Sequence, residues 1–239
     1  MPRKRRPPRF YFSFHGPYSW LAYRDLMDHH PDVADRIEWR PFWEPDPTSE
    51  HALKEAGGSF PYVAMSRDKH LYILQDVRRL ARERGLDVTW PVDRHPVWEV
   101  PHLAYLAAAH AGKGPEFIAR VYRARWTEGE NICDPATIAR LAGELGLPAE
   151  TLGAATEDDG LREEGTAALL AVHDDGVFGV PFFVYGFDKY WGVDRLPAFI
   201  AALADSAPGE RPDGAPDTQP PTGGTLAQGG DQGHAGGCG

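Results

Sequence analysis

In the stretch "RFYFSFHGPYSWLAYRDL" (residues 9–26), the run "HGPYS" gathers an imidazole, a bare glycine backbone and a hydroxyl: His15, Gly16 and Ser19. The imidazole can act as a general base or donate to an oxyanion, because its ordinary pKa lies near neutral pH. Gly16 and Pro17 have a purely structural use as well: glycine permits a tight turn, and proline opens a helix where its missing N–H costs nothing. The free N–H groups of such a first turn, with the helix macrodipole, favour a thiolate, a carboxylate or an enolate. Each residue also has a plainer reading. His15 can pack neutral or point to solvent at a strand end, Ser19 can bond the backbone, and Tyr18 can sit in the core.

The elements that position these residues follow from periodicity. Phe10 to Phe14 reads as a buried strand, and the helix after it presents Tyr18, Leu21, Ala22 and Leu26 on one face until "HHP" at 29–31. "RIEWRPFW" (36–43) reads as a second strand. Helical patterns then run over 65–85, 101–112, 115–129, 134–146, about 149–156 and about 161–174, with Asp134 as a cap and Pro135 in its first turn. After Gly176 the period returns to two: Phe182 to Tyr185, a turn at Gly186-Phe187, then Lys189 to Trp191, and a last helix with Leu196, Phe199, Ile200 and Leu203 on one face. The order β-α-β, helices, β-β-α is an α/β, thioredoxin-like fold with an inserted all-helical domain. Its expected parts are a thioredoxin-like domain over 8–45 and 176–206 and a helical insertion over 46–175. The crevice between them is where open sheets bind ligands.

Composition narrows the function. The net charge of −10 argues against nucleic acid as a partner, and the one basic cluster, "PRKRRPPR" at 2–9, reads as a solvated tail covering residues 1–7. From Ala207 to Gly239 there are ten Gly, five Pro and one large aliphatic, Leu226, so this stretch reads as a disordered tail. No apolar run approaches a membrane span, and no apolar segment of a secretory signal follows the basic residues. The two cysteines, Cys133 and Cys238, give no disulfide framework, and a cytoplasmic location is expected. The histidines lack metal-ligand spacing such as H-E-x-x-H, so no metal is expected.

Four stretches, in order along the chain, carry a resemblance: "FYFSFHGPYSWLA" (10–22), "KHLYILQDVRRLARERGL" (69–86), "ARWTEGENICDPATIARLAGELGL" (124–147) and "VFGVPFFVYGFDKYWGVDRL" (177–196). Together they resemble the branch of the DsbA-like thioredoxin superfamily that holds 2-hydroxychromene-2-carboxylate isomerases and kappa-class glutathione transferases. The corresponding family patterns are F-Y-x-D-x-x-S-P-Y-S-x-L-A, K-x-x-Y-x-x-x-D-x-x-R, W-x-x-G-x-D-I and G-V-P-[TF]-F … W-G-x-D-R-L.

The resemblance implies an isomerase-like or related tailoring enzyme. It would act on a small aromatic or conjugated substrate and use glutathione or another low-molecular-weight thiol, and a homodimer would be in keeping with the family. It implies a cis bond before Pro181, with the Val180 backbone pairing with the thiol ligand. Asp194 and Arg195 would lie near the ligand's γ-glutamyl end, and Lys69 would be the helix lysine. Asp194 has a competing use as a helix cap with Arg195 as its ion-pair partner, and Lys69 as a solvated helix residue. Tyr18, Trp20 and Trp126 would line the substrate pocket.

Departures are equally legible. The redox C-x-x-C is Gly16-Pro17-Tyr18-Ser19, so disulfide oxidoreductase chemistry through this turn is excluded. The serine that holds the thiolate in the isomerase and transferase branch is Gly16, the strand aspartate is Ser13, and His15 replaces a small residue. The loop "EAGGSFPY" shows no counterpart of the family's asparagine. Two alternatives remain open: thiol-independent acid–base chemistry by His15, or a non-catalytic thioredoxin-fold binding or scaffold protein.

Overall fold

The computed structural model describes residues 6–61 and 65–205. Residues 1–5 of the expected basic tail and the whole 207–239 tail with Cys238 lie outside the described residues, as do residues 62–64 in the loop before the Lys69 helix.

Aromatic residues with high strand propensity make β1 (Arg9–Phe12), which lies at the centre of a four-stranded sheet with β2 (Glu38–Pro41), β3 (Phe182–Tyr185) and β4 (Asp188–Trp191) in the order β2-β1-β3-β4. β1 runs parallel to β2, with Phe10 opposite Trp39, and antiparallel to β3, with Phe10 opposite Phe183. A parallel pair needs a crossover. Here α1 (Pro17–His29) and the short α2 (Pro31–Ala34) supply it. The β3–β4 hairpin turns at Gly186, whose φ of 64° suits glycine.

Among the described residues, seven helices stand between β2 and β3: α3 (Pro47–Glu55), α4 (Arg67–Glu83), α5 (Glu99–His110), α6 (Gly114–Trp126), α7 (Pro135–Glu144), α8 (Ala149–Gly153) and α9 (Asp159–Asp174); α10 (Leu196–Ala204) closes the described chain. Asp46, Ser66, Asp134 and Asp158 each accept a first-turn N–H at the start of α3, α4, α7 and α9. Side-chain alternation along the strands gives the sheet two apolar faces. On one, Phe10 stacks on Phe183 at 4.6 Å and Phe12 meets Tyr105 of α5 edge-on at 5.2 Å. Sheet and inserted helices therefore share one core, which includes Leu103, Phe117 and Leu141. The other face buries Tyr11, Phe182 and Val184 against Val172 and Val177.

Three expectations are corrected. α3 was not expected as a helix, although Asp46-Pro47 caps and opens it. α5 starts at Glu99, before Pro101, because a first-turn proline lacks an N–H that the helix does not use there. The helix expected over 149–156 ends at Gly153 and continues as a 3-10 turn (Ala155–Glu157). Gly153 lies close against α7: a Cβ there would meet the Ala139 Cβ at 3.0 Å and the Pro135 carbonyl at 3.1 Å.

Candidate active site

Side-chain hydrogen bonds fix the path from β1 into α1. The Phe14 N–H donates to His102 Nε2 (3.2 Å), the Ser13 N–H to Ser19 Oγ (3.3 Å) and the His15 N–H to Ser13 Oγ (3.2 Å). Tyr122 donates its hydroxyl to the Ser13 carbonyl at 3.1 Å. Gly16 is extended (φ −80°, ψ 118°), a conformation open to any residue, and its carbonyl accepts the Trp20 N–H at 3.2 Å to start the helix. No side chain caps the amide end of α1, and its first turn holds no acidic residue.

The Val180–Pro181 peptide is cis and packs directly on this turn. A Cβ at Gly16 would sit 3.5 Å from Ser19 Oγ and 3.7 Å from Val180 Cγ2, which is ordinary contact. The main-chain amide and carbonyl of Val180 hydrogen-bond no other described residue. Such groups are normally paired when buried, and a buried exception is a functional signal.

His15 is half-buried and stacks on Trp98, with ring centroids 4.2 Å apart and planes 21° from parallel. Behind Trp98 stands Arg125. Its guanidinium lies 5.0 Å from the Trp98 ring and 4.9 Å from the Trp126 ring, and it is only 2% exposed. Asp93 accepts two of its N–H bonds, at 2.9 and 2.7 Å. Burial lowers the His15 pKa to about 4, with the Arg125 charge acting in the same direction and Asp93 opposing. Neither His15 ring nitrogen hydrogen-bonds another described residue.

His102, wholly buried on α5, is the opposite case. Its Nδ1 lies 2.6 Å from the Trp98 carbonyl, which can only accept, and its Nε2 faces the Phe14 N–H, which can only donate. The proton is therefore on Nδ1. Burial drives its pKa down to about 3 despite the Trp98 carbonyl. Trp43 stacks on the ring at 5.2 Å and donates its indole N–H to the buried Glu99 carboxylate at 3.2 Å.

The structure thus brings together His15, Gly16, Val180 and Pro181. Other expected site residues have structural duties. Ser19 is fully buried and its hydroxyl ties the strand end to the helix, so it does not present a second hydroxyl. Tyr18 donates to Asp76 at 2.6 Å, clamping α1 to α4. Burial raises the Asp76 pKa, but hydrogen bonds from Tyr18, Arg79 and Tyr72 outweigh it and hold the carboxyl below its ordinary value. That cluster accounts for the tyrosine, aspartate and arginine of the Lys69 helix pattern. Trp20 and Trp126 stack on each other at 6.0 Å, 3% and 2% exposed, as core. Lys69 is half-buried in the first turn of α4, and α1 packs against both α4 and the 3-10 turn at Val193–Arg195. Asp194 caps no helix: Gly192 and Arg195 occupy the cap positions, and the aspartate pairs with Arg195 at 3.4 Å on an exposed surface. Cys133 has its thiol pushed up to about 12 by burial.

Trp98, Arg125, Asp93 and His102 escaped the sequence reading. Arg125 alone left a trace, since it follows Val121 by four residues and so falls on the apolar face of α6. Among the described residues no group of three or more His, Cys, Asp or Glu could hold a metal, and no helix is long and apolar enough to cross a membrane.

The sheet order, the helical insert and a cis-proline loop facing a helix start define a thioredoxin-like class. Residues 9–204 match the DSBA-like thioredoxin domain, and the chain belongs to that family. It is 28% identical over 201 residues to the 2-hydroxychromene-2-carboxylate isomerase of Sphingobium xenophagum, covering 82% of this chain and 97% of that protein. A solved 2-hydroxychromene-2-carboxylate isomerase superposes with a TM-score of 0.66 at 22% identity, over 83% of this chain and 94% of that one. The cytosolic disulfide reductase DsbM from Pseudomonas aeruginosa, solved with GSH, shares the fold at a TM-score of 0.53 and 17% identity, over 83% of this chain and 98% of that one.

Proposed function

We propose that the His15–Gly16 turn and the Val180–Pro181 loop form an active site for isomerising a small aromatic or conjugated organic substrate, assisted by glutathione or another low-molecular-weight thiol. The observation that carries this reading is a conjunction at one turn. A helix amide end with no side-chain cap, a Val180 main chain and a His15 imidazole, the last two hydrogen-bonded to no other described residue, meet at Gly16. The similarity to an isomerase along nearly its whole length supports the same reading.

The residues fit an anionic sulfur attached to a peptide. The first-turn amides of α1 favour its charge. The Val180 main chain offers a donor and an acceptor, and Lys69, Asp194 and Arg195 stand on elements packed against α1. The absent donor is the hydroxyl at position 16, where a Cβ would meet its neighbours in ordinary contact. Its loss weakens the hold on sulfur by about 0.5–1.5 kcal/mol for a neutral thiol and more for a thiolate. When bound, such a thiol supplies a nucleophile that adds reversibly to a conjugated system and allows a bond to rotate. His15, neutral at pH 7, takes up and returns protons at its ring nitrogens.

Calorimetric titration with glutathione and other small thiols tests the cofactor, and absorbance assays on 2-hydroxychromene-2-carboxylate with and without thiol test the reaction. His15→Ala is expected to lower kcat by about 100-fold or more. Absence of binding to any thiol removes the thiol from the proposal, and unchanged turnover in His15→Ala removes the catalytic imidazole. A second reading keeps His15 as acid–base and dispenses with the thiol. The glycine at the position of the sulfur-holding serine favours it, and turnover independent of added thiol would establish it.

A further inference from the structure

We infer that Arg125 and Asp93 are positioning residues for His15, acting through the indole of Trp98 to hold the imidazole neutral and in one plane. The inference deepens the proposed function and rests on His15 being its acid–base group.

A guanidinium that is 2% exposed is expensive to bury, and a well-packed apolar residue would serve a purely structural role as well or better. This one is matched by the Asp93 carboxylate and by two indole faces, yet its Nε has no hydrogen-bond partner. What it does have is a place in a continuous stack. His15 lies on Trp98, Trp98 lies near Arg125, Arg125 lies near Trp126, and Trp126 lies on Trp20. The stack uses the face of the imidazole and leaves its nitrogen-bearing edge uncommitted.

A positive charge behind the indole opposes protonation of His15, because the intervening medium is dry and screens little. Asp93 moderates that field. The charged and titratable groups facing the cluster are Arg125 from α6, Asp93 from the segment before α5, His102 and Glu99 from α5 and Cys133 from the segment before α7. His102 and Cys133 are neutral near pH 7, and the charges that act on His15 are those of Arg125 and Asp93.

The test is the titration of the His15 imidazole by NMR, assigned with His15→Ala, in the wild type and four variants. Arg125→Gln removes the positive charge and leaves the carboxylate, so the midpoint rises by about one pH unit or more. The double variant Asp93→Asn/Arg125→Gln raises it less, and Asp93→Asn lowers it. Arg125→Lys keeps the charge and stays near wild type. An unmoved midpoint in both Arg125→Gln and the double variant overturns the inference. If Arg125→Gln alone fails to fold because its carboxylate is left unpaired, the double variant decides. The titration needs no substrate, so its outcome is independent of whether His15→Ala loses turnover.

Discussion

Two histidines flank the end of β1, and burial lowers the pKa of both, to about 4 for His15 and about 3 for His102. By that measure they are alike. Their hydrogen bonds set them apart: His102 spends one ring nitrogen on the Trp98 carbonyl and the other on the Phe14 N–H, whereas His15 spends neither on a described residue. A buried imidazole with both nitrogens engaged is a structural strut. One that offers its face to an indole and keeps its edge free is equipped for proton transfer. A lowered pKa is therefore common to both rings, and the uncommitted nitrogens are what fit His15 to the proposed proton transfer.

The comparison is broken most directly by removing each ring in turn. His102→Ala leaves the Phe14 N–H and the Trp98 carbonyl unpaired in the core and opens a cavity beside Trp43. The expected loss is about 3–5 kcal/mol, read from urea unfolding. His15→Ala removes no hydrogen bond made by its ring, so its cost in the same experiment should be below about 1 kcal/mol. Equal destabilisation by the two variants would erase the distinction.

Acid sharpens it. Both folded pKa values lie below the ordinary 6.5 of histidine, so the unfolded chain binds the protons first as pH falls. Their contribution is full above about pH 6.5 and is lost as pH drops toward about 4 for His15 and about 3 for His102, at up to about 1.4 kcal/mol per pH unit for a fully buried imidazole. Between pH 7 and 5, His102→Gln and His15→Gln should each flatten the slope of stability, and between about pH 4 and 3 only His102→Gln should, because His15 takes up its proton in the fold at about 4. Chemical unfolding at pH values spanning both windows measures both slopes. A slope that is the same in wild type and His102→Gln would show that His102 does not stay neutral in the fold.

The same contrast explains what could be read from the chain before its fold. The β1–α1 unit, the terminal hairpin and the cap at Asp134 rest on signals a few residues long, and these are the parts that matched. The turn at Gly16 and the loop at Val180–Pro181 were legible for the same reason. His102 and Tyr122 reach the strand end from 88 and 109 residues away, and Asp93 meets Arg125 across 32. No local period records such meetings. Ser19 kept two readings, a site hydroxyl or a backbone partner, because every residue from Pro17 to Tyr23 is buried, so the start of α1 has no polar face to show which way a hydroxyl turns. α3 was missed because its apolar face is small: only Ser49 and Leu53 are buried.

The smallest effect tests position 16 itself. If glycine there reflected a backbone requirement, Gly16→Ser would strain the turn, but φ is −80° and a Cβ meets its neighbours at 3.5 and 3.7 Å. The substitution should therefore leave the unfolding midpoint within about 0.5 kcal/mol of wild type. What it adds is one hydroxyl between the uncapped amides of α1 and the Val180 main chain, next to His15. If sulfur binds there, calorimetry should show thiol affinity rising by about 0.5–1.5 kcal/mol, roughly 2- to 10-fold, for a neutral thiol and by more for a thiolate. If instead His15 works without a thiol, the same variant should fold normally and show no gain. In that case the glycine is best understood as room made for the substrate beside a free imidazole.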